Sequence, residues 1–163
     1  MSQRDVLISK VAELLQTAAP AAKVHRHAMR PIDKDQLPAI IPYVLGCKPI
    51  QDAQTWGTRG YDLEIRVEVR TTGVPVDQVL DPMISRVQRV MLAEPFLEGY
   101  AFNVKEGEIQ YDALDRDKTY CAAAIDFTVT FYEDPTGLGE EPLEPAQMGE
   151  ALTALPTFQE TTL

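Results

Sequence analysis

His25-Arg26-His27 places two imidazoles at i and i+2, on one face of an extended strand. That spacing could chelate a transition metal. A protein metal site takes a third and usually a fourth ligand, each oriented by hydrogen bonds from behind. Nothing in the chain nominates those ligands, so the histidines are expected as partly exposed strand residues near an interface. The other reactive residue types are equally unassisted. Ser2, Ser9 and Ser85 are the only serines, none in a Gly-x-Ser-x-Gly turn. No glycine-rich loop precedes a helix to cradle phosphate. Cys47 and Cys121 stand 74 residues apart without an activating neighbour. Two reduced thiols are the expected state, with a disulfide left open. The carboxylate pairs Glu106 with Glu108 and Asp115 with Asp117 could share acid and base roles. They sit in or beside turns, where acidic surface residues are common. The expectation is therefore no catalytic residue, no metal and no cofactor.

Residues suited to contact are easier to find than residues suited to chemistry. Trp56 is the single tryptophan, in a segment from Cys47 to Gly60 read as a long loop, with Gly57 and Gly60 beside it. Tryptophan is enriched at interface anchors, and it also folds back over a domain's own core; both readings stand. Ile50 and Arg59, in the same segment, are the accompanying interface candidates. In the C-terminal tail Met148, Leu152 and Leu155 fall at i, i+4 and i+7, and Pro145 suits a helix start. Gly149 weakens that helix. The stripe is either part of a disordered tail or an arm that docks on an adjacent subunit.

A chain of 163 residues with 45% hydrophobic and 25% charged residues can bury one full core. Its net charge of −10 is uneven: the tail from Glu133 onward has seven acidic residues and no lysine or arginine. The body before it is nearly balanced. Such a protein does not condense on nucleic acid, which needs lysine and arginine to release counterions. A surface that lets DNA slide past would be acidic too. No secretory leader and no membrane span of ~20 apolar residues is expected.

The elements that would position these residues follow from periodicity. Val6, Leu7, Val11, Leu14, Leu15 and Ala18 form one stripe on a helix from about Arg4 to Ala18. Short and then longer strands follow at Lys23 to Ala28 and Pro38 to Gly46, the second an edge or bulged at Pro42. Tyr61 to Thr71 alternates apolar and charged residues almost without error. A second helix runs from about Val76 to Ala93, with Pro82 either kinking it or marking its true start. Strands at Ala101 to Asp112, bent around Gly107, and Thr119 to Glu133 complete the domain. These predict an α+β domain over 1–133: a mostly antiparallel sheet of four to five strands with both helices on one face. An extended acidic, proline-rich arm, ordered only in part, follows over 134–163. Asp62, Glu64, Glu68 and Asp126 belong to the other, polar sheet face, which is either solvated or, in a ring, lines a channel or meets a neighbour.

The order of these elements carries a resemblance. It lies in the basic strand Lys23-Val24-His25-Arg26, the Leu-Pro-Ala-Ile-Ile-Pro-Tyr strand after an acidic turn, and the Leu-Glu-Ile-Arg-Val-Glu-Val strand. With the closing Asp-Phe-Thr-Val-Thr-Phe strand, residues 4 to 133 resemble the tail terminator proteins of long-tailed bacteriophages, of the minor tail protein U type. The resemblance implies a structural virion protein without catalytic residues, forming a hexameric ring. Such a ring caps the tail tube, stops its polymerisation and meets the head–neck connector. The implied partners are copies of itself, the tail tube protein, neck or connector proteins, and a sheath protein if the tail contracts. DNA is passing cargo, no membrane is involved, and assembly takes place in the host bacterial cytoplasm.

Overall fold

A computed structural model of the chain describes residues 2–26, 32–55, 58–72, 76–112 and 121–133. The chain divides into two units between Glu133 and Asp134. The expected C-terminal arm, with Met148, Leu152 and Leu155, lies outside the described residues, as do His27 and Trp56.

Helix α1 (Gln3–Ala18) starts at a reciprocal cap. The Asp5 N–H donates to the Ser2 hydroxyl at 3.3 Å, while the Asp5 carboxylate accepts from the Ser2 hydroxyl at 2.8 Å and from the Ser2 backbone N–H at 3.4 Å. These bonds satisfy donors that the first turn leaves orphaned and hold the Asp5 carboxyl below its ordinary range. The helix buries Leu7, Val11 and Leu15 of the expected stripe together with Ile8 and Ala12, while Val6, Leu14 and Ala18 are half-buried, so the buried face is rotated from the one read from spacing.

The strands are β1 (Lys23–Val24), β2 (Ala39–Thr55), β3 (Thr58–Thr71), β4 (Asn103–Tyr111) and β5 (Cys121–Glu133). They form one sheet in the order β1-β2-β3-β5-β4. Only β1 runs parallel to its neighbour; every other pair is antiparallel. Helix α2 (Val76–Ala93) packs with α1 on a single sheet face. Alternation decides which face: Leu63, Ile65, Val67 and Val69 of β3 join Ile125, Phe127, Val129 and Phe131 of β5 in one core with both helices. This is a two-layer α+β domain.

The second strand differs from expectation. The segment read as a long loop from Cys47 to Gly60 is mostly hairpin, with β2 continuing to Thr55 and β3 beginning at Thr58. Register explains the misreading. Pro49 pairs with Tyr61 and Gln54 with Arg59, so the four residues Ile50 to Ala53 stand opposite Gly60 alone. That wide irregularity carries loop-like residues inside a strand. Pro42 lies in the ladder opposite Val67, and β1 pairs only with Ala39 and Ile40. Its missing N–H therefore falls where no described strand lies alongside. Pro82 is inside a continuous α2 rather than at its start.

The bend expected near Gly107 is a register shift between Glu106 and Ile109. A Cβ on Gly107 would sit 3.1 Å from the Asp126 carbonyl oxygen and 3.3 Å from the Asp126 Cβ. Gly107→Ala is therefore expected to push β4 off β5 and destabilise the domain by about 1–3 kcal/mol. Urea denaturation checks this, and an unchanged midpoint would show that the bulge relaxes freely.

Candidate functional site

The polar sheet face is the first candidate surface. Register places Asp62, Glu64, Glu68 and Asp126 on it together, as the alternation required. None of the four is an isolated charge. Arg66 grips Asp126 through two parallel bonds, Nε to Oδ1 at 2.6 Å and Nη2 to Oδ2 at 2.8 Å. Lys48 donates to Glu64 at 2.5 Å and Arg70 to Glu68 at 2.5 Å. The Thr130 hydroxyl donates to Asp62 at 2.7 Å. The bidentate bond from Arg66 holds the Asp126 carboxyl below the usual carboxylate range, and raises the guanidinium in turn.

The charges on this face are not free. Asp62, Glu64, Glu68 and Asp126 share it with Lys48, Arg66, Arg70 and Lys105, the last opposite Thr128, and Asp112 and Glu108 add carboxylates beside Gln110. Nor is the face uniformly wet. Ala39 and Ile41, which pair with Arg70 and Glu68, are fully buried although they lie opposite the helices. A depression of about 260 Å³ lies on the same side, floored by Ala122 and Ala124 and walled by Tyr43, Arg66, Glu68 and Gln110.

His27, Asp115 and Asp117 lie outside the described residues, and among those described the residues considered for bond chemistry do not come together. His25 follows β1 and donates its backbone N–H to the Ile40 carbonyl, and its buried Nε2 has no hydrogen-bond partner among the described residues. Among the described residues, no three of His, Cys, Asp and Glu gather where they could hold a metal ion. Glu106 accepts from the Gln88 amide of α2, and Glu108 from the Gln110 amide at 3.3 Å. Cys47 and Cys121 are free thiols. Cys47 pairs with Leu63 and Cys121 with Thr71, eight residues apart along β3, or roughly 26 Å at the rise of a strand. That separation is beyond any disulfide within one chain. Burial pushes the Cys47 thiol up, away from thiolate reactivity.

A second surface was not foreseen from sequence. Between α2 and β4 the backbone turns through three consecutive left-handed residues, Leu97 (φ 44°), Glu98 (φ 58°) and Gly99 (φ 91°). Only glycine adopts this region without strain. The turn drives Leu97 into the core and leaves Phe96 and Phe102 exposed on either side, at 58% and 63%. The Phe102 ring meets Tyr132 edge to face at 5.6 Å. Lys10 of α1 braces the turn with an ion pair to Glu98 at 3.0 Å and lies over the Tyr100 ring. Three aromatics within seven residues, Phe96, Tyr100 and Phe102, were the available signal.

The interface candidates of the hairpin separate. Arg59 is exposed on β3 and Ile50 is half-buried on β2, at the irregularity. No family model matches the chain, and no curated protein matches it.

Proposed function

We propose that the chain is a structural subunit of a ring, of the kind that ends a bacteriophage tail tube and joins it to the neck. The observation that carries this reading is the subunit's architecture. The α1-β1-β2-β3-α2-β4-β5 order is the one on which the resemblance to tail terminators rests. Beyond it, the β2–β3 hairpin extends from the core: Gln51 and Arg59 are exposed and Ile50 and Thr58 only half-buried. Strand residues left outside their own core are available to a neighbour.

Function here is geometrical. A subunit that contacts the next copy through two different surfaces closes into a ring when the rotation per copy divides the circle. A ring seated on the open end of a tube then blocks the next tube subunit if its outer face differs from the tube's own end. No step of this requires a bond to be made or broken. The partners are copies of the chain, a tail tube protein, and a connector on the far side.

Growing tail tubes in the presence of the purified chain tests this. Capped ends and tubes that stop lengthening are expected under negative-stain microscopy. Tubes that grow at the same rate, with bare ends, would contradict the proposal.

A further inference from the structure

We propose that copies of this chain join head to tail through the two opposite edges of the sheet, the β2 edge of one copy packing against the β4 edge of the next. The proposal deepens the ring reading and rests on it.

The sheet order puts β1 and β2 at one side and β4 at the other. Each side carries large apolar groups in water. On the first, Val44 and Leu45 are 42% and 47% exposed, Leu45 being the extra residue at the register shift between Val44 and Gly46. On the second are Phe96 and Phe102, with Tyr132 against the latter. Exposed apolar groups clustered in this way mark contact surfaces.

Charge selects the occupant. Residues 23–26 and 32–55 carry Lys23, Arg26, Lys34 and Lys48 against Asp33, Asp35 and Asp52, a net charge of +1. Residues 94–112 carry Glu94, Glu98, Glu106, Glu108 and Asp112 against Lys105 alone. A weakly basic edge tolerates and attracts a strongly acidic one across copies, whereas two acidic edges repel. That asymmetry favours a heterologous contact over a two-fold dimer.

The contact is made by side chains rather than by strand addition. The outer edge of β4 is interrupted at its register shift and lined by Lys105, Glu106 and Glu108, all exposed, which blunts pairing. Pro42 and Pro49 remove two donors from β2.

The test uses two variants of the full chain, Leu45→Arg and Phe102→Arg. Both positions are exposed, and circular dichroism with thermal melting verifies that each variant folds. Lys48→Glu, which reverses charge at the β2 edge and also breaks the ion pair with Glu64, serves as a third once the same measurements show that it folds. Each variant by itself is expected to associate at least about tenfold more weakly than the wild type in sedimentation equilibrium. Mixing Leu45→Arg with Phe102→Arg is expected to restore a 1:1 dimer that grows no further, because each variant keeps one intact and complementary edge. Added salt is expected to weaken wild-type association. Variants that assemble like the wild type, or a mixture that stays monomeric while the wild type assembles, would overturn the edge contact and leave the ring standing. A wild type that remains monomeric from micromolar to millimolar concentration would overturn both.

Discussion

Phe127→Ala is expected to destabilise the domain by about 3–5 kcal/mol, the largest loss of any single substitution considered for this chain. Phe127 is 1% exposed and lies on β5, the strand flanked by both β3 and β4. It pairs with Ile65 on one side and Glu106 on the other, and its ring joins the cluster beneath the two helices. Truncation to alanine removes burial and leaves a cavity that rigid strands on both sides cannot collapse. A domain of this size is stable by only about 5–15 kcal/mol, so the variant is expected to melt far below the wild type. Urea denaturation measures the loss. A cost under about 1 kcal/mol would mean that the sheet and helices do not enclose this position.

Arg66→Met is the second large effect, and its signature is pH dependence. Arg66 and Asp126 are 24% and 28% exposed, and their bond is bidentate. Removing one partner strands the other on a half-buried face, with an expected loss of about 1–3 kcal/mol at neutral pH. The Asp126 carboxyl is held below its ordinary value by Arg66. A carboxyl depressed in the folded state stabilises the fold above its unfolded pKa, about 3.9, and loses that contribution as pH falls through its folded value. The wild type is therefore expected to lose stability over the acid limb below about pH 4, and Arg66→Met to lose less over that range. The two stability curves should converge in acid. Parallel curves would show that the pair does not couple to protonation.

The parts of the fold legible in sequence are those with a single period. β3 and β5 alternate because one face is buried under helices, and α1 and α2 carry a stripe because each buries one side. From those patterns the α+β class and the one-sided helical layer follow. β2 was cut short because Gly46, Pro49 and Gly57 punctuate it as a loop would; its extension depends on β3 as a template, which local sequence does not display. The same strand hides a second departure. Ile40 and Ile41 are both buried, on opposite faces, so the start of β2 has no alternation to read. The parallel pairing of a two-residue β1 is likewise a long-range matter.

Of the candidate surface, the polar face is legible and its cations are not. Alternation assigns Asp62, Glu64, Glu68 and Asp126 to one side. Lys48 from β2 and Lys105 from β4 reach that side only through the register of neighbouring strands. The exposed aromatics were hidden differently. Phe96 and Phe102 flank a left-handed turn whose conformation decides which ring goes inward, and Leu97 takes that place.

The particle formed by the full chain, weighed by native mass spectrometry across the micromolar to millimolar range, tests the central claim most directly. One closed species holding a fixed small number of copies, with neither a ladder of sizes nor a two-fold dimer as the end point, is the predicted result. A chain that stays single at every concentration would contradict it.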